Sequence, residues 1–317
     1  MAAASVVTLA GVSKRFDHAE AVSDLSLDVA PGQIFGLIGP SGSGKTTTIR
    51  LLVGVLKPDD GEIRVMGSDP SRFSTRQRER IGYSPQGFFL YPTLTAKENV
   101  RFVAGLFGVG WGKRRRRTRE VLQVLELWDA RDRMTRNLSG GMQRRLELAC
   151  ALVHDPSLLF VDEPTAGLDP VLRQKIWEFL RGLRSAGTTI FVTTQLIEEI
   201  QHCDNVAIMN HGKLVALGSP AALRRQAMRG EAVEVVVQNV SQAALQQVRA
   251  LEGVNALRWT DAGDLRVMVE DAARATPAVT QTLSAAGSDV TAVREYVPSF
   301  DEVFTRLVEE KAETDVA

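Results

Sequence analysis

The chain has 317 residues, 44% of them apolar and 24% charged, and its 38 basic side chains balance 38 acidic ones. That length suits two domains and a sizeable core, while the zero formal charge excludes a global field favouring nucleic acid or anionic lipid. Cys150 and Cys203 are too few for a disulfide framework and lack metal-ligand spacing, so both read as small buried hydrophobes in a reducing compartment.

The opening "MAAASVVTLAG" lacks the basic n-region of a signal peptide, and no run approaches the roughly 20 apolar residues of a transmembrane helix. The chain is expected not to span a membrane. "VVTLAGV" and "AVSDLSLDVA" alternate like strands. "GQIFGLIG" (32–39) is an apolar strand ending in glycine, followed by a Gly-Ser loop and the helical "TTTIRLLVGVL". "GEIRVMG" and "RIGYSPQ" add strands. From about 95 to 155 the pattern is helical, with "VLQVLELWDA" and "GGMQRRLELACALV" both amphipathic. Strands return at "SLLFVDEP", "TTIFVTT" and "NVAIMNHGKLVALG", with the helix "PVLRQKIWEFLRGLRSAG" among them. "TTIFVTTQLIEEI" reads as a buried strand running into a helix, with Gln195 between. Alternating strands and helices imply a largely parallel, doubly covered sheet.

Beyond a connecting helix in "GSPAALRRQAMRGE", the rhythm changes. "EAVEVVVQN", "SQAALQQVRALEG", "NALRWT", "DLRVMVE" (joined through "DAGD"), "TPAVTQTLSAAG" and "DVTAVREYV" follow in β-α-β-β-α-β order, as in a small ferredoxin-like module, and "SFDEVFTRLVEE" closes the chain as a helix.

Three motifs carry chemistry. "GPSGSGKTT" (39–47) matches G-x-x-x-x-G-K-[ST]: Gly39, Ser41, Gly42, Ser43 and Gly44 bring backbone N–H groups toward phosphate oxygens at a helix N-terminus. Lys45 would reach the β- and γ-phosphates, the Thr46 hydroxyl would ligate Mg²⁺, and Thr47 completes the motif. In "LLFVDEPTAGLD" an apolar strand delivers Asp162, a Mg²⁺ holder directly or through water, and Glu163, a general base for the attacking water. "LSGGMQ" (138–143) leads into an amphipathic helix. Ser139 serves as N-cap, but capping alone leaves Gly140 and Gly141 unexplained.

With these motifs in this order, the chain resembles the ATP-binding cassette (ABC) ATPases over roughly residues 6–220. The resemblance implies a P-loop cassette with a mixed α/β sheet, an antiparallel β subdomain and a helical subdomain at about 87–155. The ferredoxin-like module at 221–317 would be an α+β accessory or dimerisation appendage. It also implies ATP and Mg²⁺ as ligands and a second cassette, identical or not, whose signature loop (Ser139, Gly140, Gly141, Gln143) covers the ATP held by the first. Phe16 matches the aromatic that stacks on adenine, although alone it would pass for core. Gln86 matches the glutamine that senses Mg²⁺ and faces a membrane partner. Asp169 matches the loop touching the opposite cassette, and would also serve as an N-cap before Pro170.

One position departs from the family pattern. Where most ABC ATPases place a histidine against the γ-phosphate, this chain has Gln195. The amide can donate and accept but cannot become cationic. His202 lies seven residues on, roughly 10 Å along a helix, too far to substitute. A working ATPase is expected, with a rate less dependent on pH than a histidine form.

Gln195, the segment 89–108 and the ending at 293–310 resemble ATPase subunits of daunorubicin-resistance-like, ABC-2 class drug exporters. That implies separate integral-membrane permease subunits, a peripheral place on the cytoplasmic face of the cell membrane, and a drug-like, lipid or polysaccharide cargo. Phe88, Phe89, Leu90 and Tyr91 suit either a contact with that partner or helical-subdomain core. "KRRRRTR" (113–119) reads most simply as a solvated helix face, with attraction to anionic headgroups or to nucleic acid as the other readings. A non-transport ABC ATPase acting on nucleic acid or ribosomes usually carries paired cassettes, long coiled coils or zinc cysteines. None is present, so no nucleic acid is expected. A non-hydrolysing clamp would lack Glu163 or Lys45.

Overall fold

The computed structural model describes residues 5–316 apart from His18, Phe88 and Asp261. The chain divides into two compact units between Ser219 and Pro220.

In the first unit, β1 (Val7–Phe16) and β2 (Ala19–Val29) bury alternate apolar residues and pair antiparallel. β3 (Ile34–Ile38) is buried throughout and feeds a glycine-rich loop into α1 (Lys45–Leu52). This helix is shorter than expected, because the chain turns through Gly54 in the left-handed region just past it. β4 (Asp60–Val65) returns to β1 and completes the sheet β2-β1-β4. The single turn α2 (Thr75–Arg78) precedes β5 (Ile81–Ser84).

The helical region holds α3 (Ala96–Leu106), α4 (Trp111–Val124) and α5 (Gly140–Leu152). A capping box between Thr95 and Glu98 starts α3. The stretch 121–130 is not one helix: α4 stops at Val124, Glu126 takes a positive φ, and Trp128–Ala130 forms a 3₁₀ turn. β6 (Leu158–Asp162), α6 (Pro170–Ser185), β7 (Thr189–Thr194), β8 (Asn205–Asn210) and β9 (Lys213–Gly218) follow. The second sheet runs β5-β6-β7-β3-β8-β9, parallel except for β9. β3, β6 and β7 bury every residue, as strands covered on both faces must.

The segment after Gln195 is a 3₁₀ helix, Ile197–His202, where an α-helix was expected. Its tighter coil climbs about 2.0 Å per residue. It also carries His202 against Trp177 and Arg181, away from the strand end.

The second unit comprises α7 (Pro220–Met228), β10 (Glu231–Gln238), α8 (Gln242–Arg249), β11 (Val254–Trp259), β12 (Leu265–Val269), α9 (Ala272–Ala285), β13 (Asp289–Tyr296) and α10 (Phe300–Val316). Its antiparallel sheet has the order β11-β12-β10-β13. Val233, Val235 and Val267 pack with Val248, Val279 and Leu283 in its own core. α9 starts before the Thr-Pro expected to open it, because Asp271 caps it by accepting from the Arg274 N–H. Pro277 therefore lies inside the helix. The linker "DAGD" includes Asp261, outside the described residues.

Candidate nucleotide-binding and hydrolytic site

The parallel sheet aligns the functional strand ends. Ser84 of β5 registers with Val161, Asp162 with Thr193, and Ile38 of β3 with Thr194. The residues that follow, Gln86, Glu163, Gln195 and the loop from Gly39, therefore emerge along one carboxyl edge, where open α/β sheets bind ligands.

Gly44 is the N-cap of α1 at φ 101°, and a Cβ there would meet the Ala21 carbonyl oxygen at 2.2 Å. Only glycine fits, and it caps without a side chain, so the first-turn N–H groups are left for an anion. Lys45 Nζ donates to the carbonyl oxygens of Gly39 and Pro40, each at 2.8 Å, and is nearly buried. Burial pushes its ammonium below the ordinary lysine value, and the charges of Glu163 and Asp162 oppose that shift.

Asp162 is fully buried. Its Oδ1 accepts from the hydroxyls of Thr193 and, at 3.4 Å, of Thr46. Its Oδ2 is buried without a partner among the described residues. A buried carboxylate oxygen beside a threonine hydroxyl is the hard-oxygen donor set that suits Mg²⁺, so these residues fit the ion that the sequence implies.

Glu163 takes φ 51°, and its N–H donates to the Thr193 carbonyl at 3.0 Å. Its carboxylate accepts from Gln86 Nε2 at 2.8 Å. Gln195 is exposed and makes no side-chain hydrogen bond among the described residues, so its amide is free to meet a ligand. Phe16 lies at the end of β1, 43% exposed, with Lys14 Nζ 5.6 Å from its ring centroid. The core reading of Phe16 is thereby corrected.

Ser139 caps α5, accepting from the Met142 N–H at 3.3 Å, and Gln143 donates to the carbonyls of Thr135 and Leu138. The two glycines differ. A Cβ on Gly141 would come within 2.5 Å of Leu172, whereas a Cβ on Gly140 meets open space. Asp169 caps α6 through the Leu172 N–H at 3.0 Å.

Three residues that sequence reading missed hold this edge together. Arg144, the residue just after "LSGGMQ" and buried in α5, donates to the carbonyls of Pro85, Asp162, Glu163 and Pro164 and pairs with Glu147 at 2.7 Å. Thr193 bridges Asp162 and the Glu163 backbone; the repeated threonine before Gln195 was its only signal. Glu199 accepts from Thr165 and Trp177, joining the segment after Gln195 to the loop before Asp169.

Beside Pro85 a cavity of about 370 Å³ is lined by Phe73, Tyr83, Phe89, Tyr91, Phe107 and Glu147. Phe89 is 76% exposed, which corrects its reading as helical-subdomain core; Phe88 lies outside the described residues. Glu147 also accepts from the Phe89 N–H, and burial raises its pKa against the pull of Arg144. Cys150 and Cys203 are both buried free thiols, pushed up by burial.

Residues 22–166 match the family model described as ABC transporter. The chain is 35% identical to a daunorubicin/doxorubicin resistance ATP-binding protein of Streptomyces peucetius, covering 95% of this chain and 92% of that protein. It is 41% identical to a Nod factor export ATP-binding protein of Paraburkholderia xenovorans, over 71% of this chain and 74% of the relative. Among solved structures, a dimeric ATP-binding cassette in a post-hydrolysis state with ADP and Pi matches with a TM-score of 0.63 at 29% identity, covering 67% of this chain and 98% of that one.

Proposed function

The chain belongs to the ABC transporter ATP-binding proteins, and from that premise we propose that it powers export of a drug-like, lipid or polysaccharide cargo through separate permease subunits. It is an ATPase. The observation that carries the catalytic assignment is the adjacency of two carboxylates at the end of β6. Asp162 faces Thr46, and Glu163 is held by Gln86.

In this reading the loop 39–47 binds the phosphates, and Lys45 exchanges its contacts with the Gly39 and Pro40 carbonyls for phosphate oxygens. Mg²⁺ held by Thr46 and Asp162, with Gln86 nearby, would neutralise charge on the β- and γ-phosphates. Glu163 takes the proton of the attacking water, and Gln195 donates to the γ-phosphate. Phe16 stacks on adenine. Two cassettes close head-to-tail, with Ser139, Gly140, Gly141 and Gln143 over the other's ATP and Asp169 at the seam. Open space at Gly140 supports this, since no contact within the chain requires glycine there.

The cavity beside Pro85 is the proposed seat of the permease. Phe89 and Tyr91 offer it apolar area, and Glu147–Arg144 links the Phe89 backbone to the carbonyls of Asp162 and Glu163. In this reading the chain is a peripheral subunit at the cytoplasmic face of the membrane; among the described residues no helix is long and apolar enough to cross one. For the second unit we propose a ferredoxin-like accessory module used in dimerisation, supported by its β-α-β-β-α-β order and antiparallel four-stranded sheet.

Glu163→Gln tests the assignment. The variant should bind ATP, shift to a dimer with ATP in size-exclusion chromatography, and release little phosphate. Wild-type hydrolysis by this variant would remove Glu163 from the mechanism. Co-purification with a permease that is lost on Phe89→Ala would support the seat beside Pro85.

A further inference from the structure

The basic run in α4 takes no part in the nucleotide site. α3 and α4 pack on each other through the short link 107–110, so Leu106, ending one helix, and Trp111, opening the other, share a tip. Leu106 is 70% exposed and Trp111 83%. The cations divide into two groups. Arg114 donates to the Val109 carbonyl, and Arg117 donates to the Leu152 and Val153 carbonyls and pairs with Asp155, so both serve the fold. Lys113 and Arg115 are exposed and have no ion pair among the described residues. Among the described residues Arg116 pairs with Glu120 alone, an exposed pair that competes weakly with another anion. Beside the tip a cleft of about 650 Å³ adds Arg76 and Arg80 to Lys113, with Glu79 as its acid.

These features ask for one occupant that takes both halves. A merely solvated face explains the cations but not an indole and a leucine as its most exposed neighbours. Duplex nucleic acid offers phosphates but no apolar phase for Leu106 and Trp111. An anionic bilayer offers both: acidic headgroups for the cations, and an interface where indole and aliphatic groups leave water. We propose that the α3–α4 tip docks on an anionic phospholipid surface, with Trp111 and Leu106 entering the headgroup layer and Lys113, Arg115 and Arg116 on its acidic headgroups. The docking deepens the export reading, on which it rests for its cellular setting: it gives the ATPase a lipid contact of its own, without the permease.

Co-sedimentation of the full chain with vesicles tests this, using phosphatidylcholine alone and phosphatidylcholine mixed with phosphatidylglycerol. Binding to the mixed vesicles is expected at low salt, falling as salt rises, with little binding to the neutral ones. Lys113→Ala, Arg115→Ala and Arg116→Ala combined should weaken it by on the order of 100-fold, since each basic residue near such a surface is worth about fivefold. Trp111→Ala should cost about tenfold by losing its apolar burial. ATP hydrolysis should be unchanged in both variants, which shows that they fold. Equal binding to neutral vesicles, an unaffected triple variant, or tighter binding to a duplex oligonucleotide than to the mixed vesicles would each overturn the proposal. A wild-type chain that binds the mixed vesicles but releases no phosphate would support the docking and count against the hydrolytic reading alone.

Discussion

Gln86 Nε2 donates to Glu163 Oε2 at 2.8 Å, so the amide just past β5 holds the carboxylate just past the neighbouring strand β6. The two lie 77 residues apart in sequence and meet because β5 and β6 pair in parallel with Ser84 opposite Val161. If Glu163 is the base, as proposed, this hydrogen bond aims it before its water arrives.

Removing the proposed base and removing its holder should therefore differ in size. Glu163→Gln keeps a partner for Gln86 and is expected to slow steady-state phosphate release by about 10²–10⁴-fold. Gln86→Ala loses one hydrogen bond, worth about 0.5–1.5 kcal/mol, and should slow release by less than about tenfold. Equal losses would mean that Gln86 does more than orient the carboxylate.

Arg144 is the larger structural liability. Its guanidinium is buried with Glu147 and donates to four carbonyls around the active edge. Arg144→Ala strands Glu147 and should destabilise the first unit by about 3–5 kcal/mol in urea unfolding, as breaking a buried pair does. Arg144→Lys keeps the charge without the planar fork; it should fold yet hydrolyse ATP more slowly, because the Asp162 and Glu163 backbone is no longer clamped.

Gln195 predicts a pH signature. Gln195→His should impose a fall in hydrolysis as pH rises through about 6.5, the ordinary histidine value, if the cationic ring assists the γ-phosphate. Wild type should lack that inflection, and Gln195→Ala should be slower than wild type across the range. Rate profiles identical for wild type and the alanine variant would exclude a γ-phosphate role.

Stability should also depend on pH through His154. Burial holds its imidazole below the ordinary value of 6.5, with Nε2 on the Ile81 carbonyl and the ring 3.8 Å from Phe107 in a parallel stack. A histidine depressed in the folded state contributes stability that is full above about 6.5 and lost as pH falls below it, because the unfolded chain takes up the proton first. Urea midpoints at about pH 7.5 and about pH 5 should therefore separate more for wild type than for His154→Gln, by up to about 1.4 kcal/mol per pH unit. His202 is shifted the same way by burial and by Arg181, and subtracting the variant's curve cancels its share.

The phosphate loop, the two carboxylates and the signature could be read from sequence, because each packs its chemistry into a few consecutive residues with fixed spacing. Strand and helix identities were legible for the same local reason. The exceptions were the 3₁₀ segment after Gln195, the break within 121–130, and ends such as that of α9, where Asp271 capped the helix before the proline that seemed to start it. Competing caps within a few residues cannot be ranked without knowing which one the fold leaves free to bond.

Arg144, Thr193 and Glu199 were not legible. Arg144 reaches carbonyls 18 and 19 residues on, and Thr193 and Glu199 bond partners 31 and 34 residues back. Those partners lie in the carboxylate motif, but Arg144, Thr193 and Glu199 lie far from it in sequence. A spacing rule can say that Glu163 sits at a strand end. Parallel pairing of β5, β6 and β7, with α5 packed at β5, sets which amide, hydroxyl and guanidinium surround it. Such contacts depend on register between distant segments, which side-chain burial across the whole sheet specifies and no short stretch of chain contains.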